Sequence, residues 1–360
     1  MSDLANLVTR ATPWLVSPGD HAGVVMAARI RLARNLEGWH FPRKLPPARA
    51  RALVEKIAEA AARACPGRLI RVDKLETAER QLLVERQLVS RELAAAKRAS
   101  GLWLGDGERT ALMIGEEDHL RLQVFSAGLH LERLLVEAVR IDGALERDLG
   151  WAFDGRLGYL TACHSNVGTG LRASVMLHLP ALAETGELKA VLRALDKLHL
   201  AVRGRFGEGS EPQGHYYQVS NRRTLGLDES AIVRLVHEAV LRVVEAERVA
   251  RESLLADDAA RNRLEDKVWR AWALLTNARV LTSEELVEHL AWLRVGLALD
   301  VLRPADVSSR PTWETLDRIF VQCQPAHLQA AHPAASDSAV RDRLRAELTR
   351  TWLTAAPGRN

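Results

Sequence analysis

The sequence predicts an α+β chain, with strands and helices mixed to about residue 250 and helices alone from 251 to 360. Three observations carry this. Two short β-type runs, 109–114 and 119–125, flank a polar turn at 115–118. Strand signals vanish after Asp228. Long helical patterns then occupy 228–275, 283–302, 311–322 and 336–354, punctuated by Pro304, Pro311, Pro325 and Pro333.

Taken in order, the segment carrying Arg29 and Arg31 is extended, and helix-period apolar spacing follows Pro46-Pro47 over 47–64 and returns over 78–99. After the hairpin, 129–149 is helical again. A strand over 158–163 runs into a glycine-bearing loop at 166–170, and a helix is expected from Leu171. Residues 188–200 read as helix, and 201–206 and 215–219 as strands. No internal repeat or low-complexity linker interrupts the chain.

With 360 residues the chain can bury a large core, and its length favours two domains. No apolar run approaches the roughly 18 residues of a membrane span, and Met1-Ser2-Asp3-Leu4 lacks the basic and apolar regions of a signal peptide. Cys65, Cys163 and Cys323 are widely spaced with no CxxC pair, which points to free thiols in a reducing cytoplasm rather than a disulfide frame or a zinc site. Arginine supplies 43 of the 50 basic residues. A GC-rich genome accounts for most of them, and they alternate with Asp and Glu along helices, as in 261–266 and 341–343. That is the pattern of solvated faces rather than of a nucleic-acid stripe with interleaved aromatics.

Four stretches point to phosphoryl chemistry: Arg29-Ile30-Arg31, Glu116 to Arg121, Thr161 to Ala173, and Arg203 to Glu208. Arginine keeps its charge and forks onto phosphate oxygens, whereas a guanidinium calls for carboxylates. Arg29 and Arg31, two apart on an extended segment, point to one side together. On a strand over 119–125, Arg121 shares a face with His119 and Gln123, and Glu117 joins it if the strand starts early. Any half-exposed strand has the same polar row. The glycines of Asn166-Val167-Gly168-Thr169-Gly170 permit close approach to a phosphate, with Arg172 at the expected helix start, or they simply make turns. Cys163 is either a buried apolar cysteine or, beside several arginines, a reactive one.

These four blocks resemble the ATP:guanidino phosphotransferase (phosphagen kinase) superfamily, and in detail its bacterial protein-arginine kinase branch. The resemblance is strongest over 24–35, 115–123, 158–180 and 202–226, and Gln324-Pro325-Ala326-His327-Leu328-Gln329 extends it to the branch's C-terminal domain. It implies an antiparallel sheet flanked by helices as the catalytic domain. It makes Arg29, Arg31, Arg121, Arg172 and Arg203 the clamp on ATP. The nucleotide would be lined by Ala27, Ala28, Ile30, Ala173, Ser174, Val175, Met176, Gly204, Arg205, Phe206 and Gly207 besides. Glu117 and Glu208 take the carboxylates that grip the accepting guanidinium, with Glu208 favoured as the base, and Cys163 takes the reactive cysteine beside the accepting nitrogen. Mg²⁺ bridges phosphate oxygens without a dedicated protein cage. The segment Arg341-Asp342-Arg343-Leu344-Arg345-Ala346 matches the RDxxRA phosphoarginine-binding motif, whose contacts carry over to Arg341, Asp342, Arg345 and Ala346. Read without the resemblance, it is a solvated helix face.

Three positions depart from the family pattern. His164 follows Cys163 where proline is usual, Gln87 ends a Glu85-Arg86-Gln87 run where Glu-Lys-His is usual, and Gly115 replaces an asparagine. No clamp arginine or catalytic carboxylate is lost, so activity is expected to survive. Arg29 lies almost at the start of the chain, leaving no room before it for the extra helical domain of small-molecule guanidino kinases. An open acceptor site suits arginine presented on a protein. The resemblance therefore implies a cytoplasmic, homodimeric, allosterically tuned protein-arginine kinase acting in protein quality control, with a zinc-binding activator and an AAA+ protease as partners. The alternatives are a kinase for a small guanidino compound and a non-catalytic phosphoarginine-binding adaptor.

Overall fold

An antiparallel sheet of eight strands runs through the middle of the chain, whose computed structural model describes residues 4–15, 21–204, 213–304 and 310–355. In chain order its first five strands are β1 (Val25–Arg34), β2 (Gly67–Ile70), β3 (Gly101–Gly105), β4 (Thr110–Ile114) and β5 (Leu120–Ala127). A separate two-stranded ladder, β6 (Phe153–Asp154) with β7 (Gly158–Tyr159), precedes β8 (Leu171–His178), β9 (Leu200–Arg203) and β10 (Tyr216–Asn221). The strand order is β2-β3-β4-β5-β1-β8-β10-β9, so β1, β5 and β8 occupy the centre.

Helices cover both faces. The described helices of the first 200 residues are α1 (Ala5–Thr9), α2 (Pro47–Ala64), α3 (Thr77–Glu85), α4 (Arg91–Ala94), α5 (Leu131–Leu149), α6 (Pro180–Glu184) and α7 (Leu188–Lys197). Then come α8 (Glu229–Ala256), α9 (Asp258–Asn277), α10 (Ser283–Ala298), α11 (Trp313–Gln322), α12 (Pro325–Ala331) and α13 (Ser338–Thr354).

Period-two alternation sorts the strand residues. Ala28, Ile30 and Leu32 of β1, Leu120, Leu122 and Val124 of β5, and Ala173, Val175 and Leu177 of β8 join one core with α2, α5 and α8. On the opposite face Ala27, Phe125, Met176 and Tyr216 join a second core with α3 and the helices from α9 onward. That second face turns polar toward one end of the strands, at Arg29, Arg31, Arg121, Gln123, Arg172, Ser174 and Gln218. There the cleft lies.

The hairpin, the helices over 47–64 and 129–149, and the helical tail match their expected places. Four expectations change. The helix expected from Leu171 is the central strand β8. Apolar residues at 171, 173, 175 and 177 alternate with Arg172, Ser174 and Met176, and pairing on both sides by β1 and β10 decides for strand. The helix over 78–99 breaks into α3 and α4 around Gln87, whose φ of 58° is left-handed. The helix over 228–275 is two helices, because Asp257 leaves the helical backbone and caps α9, accepting from the Ala260 N–H at 2.6 Å. Of the strand over 158–163 only Gly158–Tyr159 pairs. Strands β2 and β3, outside any expectation, extend the sheet through the β3–β4 pairing. Nor is β5 half-exposed: all but Ser126 of its residues are buried.

Candidate active site

A cleft of about 440 Å³ opens on the polar end of the second sheet face. Arg29, Arg31, Arg121, Arg172 and Arg203 line it together with Glu117 and Cys163. The register explains the gathering. Arg31 lies opposite Gln123 on β5 and Arg172 on β8, while Arg29 lies opposite Phe125 and Ser174. Arg29 donates from Nε to the Ser174 hydroxyl at 3.3 Å and from Nη1 to the Gln123 side-chain carbonyl at 3.4 Å.

Like charges directly across a ladder repel. Burial, then Arg172, lowers the Arg29 pKa to about 10. Arg31 is pushed well below its ordinary value by burial first and then by Arg121, Arg172 and Arg29, with Glu116 acting the other way. Concentrated, desolvated positive charge of this kind is a receptor for a polyanion. Triphosphate or ADP at a hundredfold excess over its Kd is expected to add about 2.7 kcal/mol of stability, read as a rise of several degrees in Tm. An unchanged Tm would count against anion binding here.

Arg121 stands between the other cleft arginines and the acidic turn at 116–118. It pairs with the buried Glu116, with Glu117 at 2.6 Å, and at longer range with Asp118 at 3.8 Å. Glu117, a third exposed at its side chain, faces the cleft, whereas Glu116 is held deeper by the Ser90 hydroxyl as well as Arg121. Asp118 points away from the cleft. Its Oδ1 accepts the Ala162 N–H at 2.7 Å and the Asn35 amide at 2.8 Å, tying the Cys163 loop to the Glu117 turn.

His119, expected beside Arg121 and Gln123, does not line the cleft. Its Nδ1 accepts the Leu36 N–H at 3.0 Å and its Nε2 donates to the His40 carbonyl at 2.8 Å, with burial lowering its pKa. Cys163 is neither fully buried nor isolated: its thiol lies 3.0 Å from the Ser165 hydroxyl at the cleft edge. His164, exposed, opens a short 3-10 turn over His164–Asn166.

The glycine loop has a packing role. At Gly168 φ is 113°, and an added Cβ would lie 2.1 Å from the Thr224 carbonyl oxygen. Gly168→Ala is therefore expected to cost at least about 2 kcal/mol in urea unfolding; a loss under about 0.5 kcal/mol would contradict this close packing. Asn166, not the glycines, reaches the cleft. At Gly115 φ is 78°, a conformation open to glycine and asparagine, so the exchange of one for the other keeps the turn.

Of the other expected nucleotide residues, Ala28, Ile30, Ala173 and Val175 turn into the first core and Ala27 and Met176 into the second, so their side chains form the platform beneath the arginines. Gly204 ends the described chain before 205–212, and Arg205, Phe206, Gly207 and Glu208 lie outside the described residues. Ser90, Arg98 and Gln218 line the cleft without having been singled out, and Glu116, named only as the start of its stretch, joins them. Strand parity with Tyr216 would have marked Gln218; nothing local marks Ser90 or Arg98.

On α13, Arg345 is 1% exposed and donates to the carbonyls of Cys323 at 2.9 Å and Leu281 at 2.7 Å, besides pairing with Asp342. Arg341 donates to the carbonyls of Ala335 and Ser336 at 2.9 and 2.7 Å. Ala346 is fully buried. This side of α13 is packed, not a solvated face, because α13 lies against α9, α11 and α12. The 261–266 stretch does carry the expected pairing, Arg261 to Glu265 at 3.0 Å.

An arginine-lined cleft with a facing carboxylate, set on this sheet, fits phosphoryl transfer to a guanidinium, and the architecture is that of guanidino kinases. The duplicated taurocyamine kinase from Schistosoma mansoni with bound transition state analog components is similar at a TM-score of 0.58 and 27% identity, covering 71% of this chain and 36% of that one. Lombricine kinase, at a TM-score of 0.57 and 23% identity over 68% of this chain and 71% of that one, shares the fold. The C-terminal catalytic domain of the ATP:guanido phosphotransferases matches residues 50–250, which sets the class of the enzyme.

The protein-arginine kinase McsB C-terminal domain matches 261–360. The protein-arginine kinase of Moorella thermoacetica is 40% identical over 350 residues, covering 96% of this chain and 98% of that one. That of Symbiobacterium thermophilum is 39% identical over 357 residues, covering 97% and 99%. The chain belongs to the protein-arginine kinase family of ATP:guanido phosphotransferases.

Proposed function

We propose that this chain transfers the γ-phosphate of ATP to arginine side chains of protein substrates, using the cleft between β1, β5 and β8. The observation that carries the reading is the meeting of five arginines with Glu117 and Cys163 in one cleft. ATP enters as its Mg²⁺ complex, and Arg29, Arg31, Arg121, Arg172 and Arg203 hold its phosphates. Phosphoryl transfer asks mainly for alignment and charge neutralisation, which a rigid strand platform provides.

The acceptor guanidinium lies against Glu117 and, by resemblance, Glu208, with Cys163 beside the accepting nitrogen. That nitrogen attacks the γ-phosphorus in line, an N–P bond forms, and the bond from the γ-phosphorus to the bridging oxygen breaks. ADP leaves, and a carboxylate takes the guanidinium proton; Glu208 is our choice for it. As Arg121 turns to phosphate, the Glu117 carboxylate it holds at 2.6 Å is released for the acceptor.

The catalytic part corresponds to residues 1–250, and 251–360 is a helical part for dimerisation and phosphoarginine sensing through Arg341, Asp342, Arg345 and Ala346. A cytoplasmic role in quality control, with a zinc-binding activator and an AAA+ protease, completes the reading. Among the described residues no helix is long and apolar enough to cross a membrane.

The test is incubation of the purified chain with Mg-ATP and an unfolded acceptor protein, followed by mass spectrometry for acid-labile phosphate on arginine. Phosphoarginine in the wild type but not in Glu208→Ala is the expected outcome; phosphorylation of free arginine alone would overturn it in favour of a small-molecule kinase. For the sensing site, affinity for a phosphoarginine peptide is expected to fall about tenfold or more in Asp342→Ala, as loss of a charged hydrogen bond implies. Equal affinity would remove Asp342 from the site.

A further inference from the structure

The α3–α4 connector, residues 86–90, forms one wall of the cleft, with Gln87, Val89 and Ser90 among the lining residues. It also contributes to the phosphate side from behind. The Leu88 carbonyl accepts the Gln123 amide at 3.3 Å, and the Gln123 carbonyl oxygen in turn accepts from Arg29 Nη1 at 3.4 Å. The placing of this connector therefore bears on where the Arg29 guanidinium is held.

One anchor of the connector is its neighbour Glu85, the last residue of α3, and the partner of Glu85 is the C-terminal helical part. One carboxylate oxygen accepts the Ala326 N–H at 2.8 Å. The other accepts the His327 N–H at 3.1 Å and the His327 imidazole Nδ1–H at 2.7 Å. Glu85 is 11% and His327 1% exposed at the side chain, so water does not compete. On the far side of the ring, Nε2 lies 3.5 Å from the Arg86 guanidinium. Arg86, itself fully buried, forks onto Glu108 and donates to the carbonyls of Leu7 and Arg10. Its fixed fork cannot follow a moved connector without leaving these partners.

We propose that Glu85 and His327 act as positioning residues for the nucleotide. By fastening α12 to the root of the connector, they hold Gln87 and the Leu88–Gln123–Arg29 chain in register with the phosphate clamp, so the helical part completes the ATP site. The inference rests on the ATP reading of the cleft. Its distinctive mark is a change in nucleotide affinity with little change in turnover at saturation, because neither residue touches the reacting atoms.

The experiment measures, on the full chain, the Kd of a fluorescent ADP, the KM for Mg-ATP and kcat on an unfolded acceptor protein. It compares wild type, Glu85→Gln, His327→Ala, His327→Asn and the double variant Glu85→Gln/His327→Ala. Glutamine keeps the shape of Glu85 but loses the charge, and asparagine at 327 keeps a donor near Nδ1. Glu85→Gln and His327→Ala are each expected to raise Kd and KM about fivefold, with kcat within about twofold. That is less than the full loss of a charged hydrogen bond, because the fastening reaches the phosphates only through the Leu88–Gln123–Arg29 chain. The double variant should be close to the poorer single one, since both residues act through the same fastening of α12 to α3. His327→Asn should return close to wild type. Unchanged nucleotide affinity in a folded His327→Ala, or a fall in kcat alone, overturns the proposal. Wild-type protein that binds no nucleotide would sink the ATP reading itself, and the inference with it.

Discussion

Glu117→Gln is expected to lower the rate of arginine phosphorylation by about 10² to 10⁴, the range for losing a positioned acid–base or orienting carboxylate, while leaving ADP affinity within a few-fold. Glutamine is nearly isosteric, so the turn at 115–118 should keep its shape. What is lost is the charge that, in the proposed reaction, grips a guanidinium. The neighbouring Glu116 cannot substitute, because it is buried and already engaged by Arg121 and Ser90. Steady-state kinetics beside nucleotide titration checks this. A rate within a factor of three of wild type would move the acceptor site elsewhere in the cleft.

Arg31→Met should stabilise the ligand-free protein and at the same time remove nucleotide binding. Arg31 is desolvated and faces Arg29, Arg121 and Arg172, which destabilise its charged form in the folded state. The sign follows: a cation whose pKa falls on folding costs stability when protonated, so deleting it returns that cost. Replacing buried ionic groups by apolar ones of similar size is often stabilising by about 1–4 kcal/mol, and because Arg31 is only half-buried at the cleft the gain is expected at the low end, about 1 kcal/mol. Tm without ligand should rise, and the Tm gain on adding ADP should vanish. A lower Tm in the variant would mean that Arg31 is held by favourable contacts that outweigh the repulsion. The two variants separate the halves of the cleft, since one keeps the nucleotide and loses chemistry, and the other loses the nucleotide.

Much of this protein could be read from its residues. Arginines spaced two apart at 29 and 31 require only an extended backbone to face one way, and β1 supplies it. The hairpin around 115–118 and the long helices of the tail follow from local period and turn chemistry, which act over a few residues. Glu117, Arg121, Cys163 and Arg172 are singled out through the resemblance of their blocks to the guanidino kinases, since local chemistry leaves each of them an ordinary reading as well.

Only the tertiary structure decided the rest. Whether 171–178 is helix or strand turned on pairing with β1 and β10, about forty residues away on the β10 side and more than a hundred on the β1 side. Both Glu116 and Glu117 line the cleft, but only the tertiary structure buries Glu116 under the Ser90 hydroxyl and leaves Glu117 a third exposed. The RDxxRA segment reads as a solvated helix until α9, α11 and α12 close over Arg345, whose guanidinium then finds the carbonyls of Cys323 and Leu281. The contact of Glu85 with His327 spans 242 residues of sequence. Period and propensity are set by neighbours in the chain, whereas burial, charge pairing and strand register are set by neighbours in space. The sequence alone determined the chemistry this chain carries; packing determined which copies of that chemistry face one another.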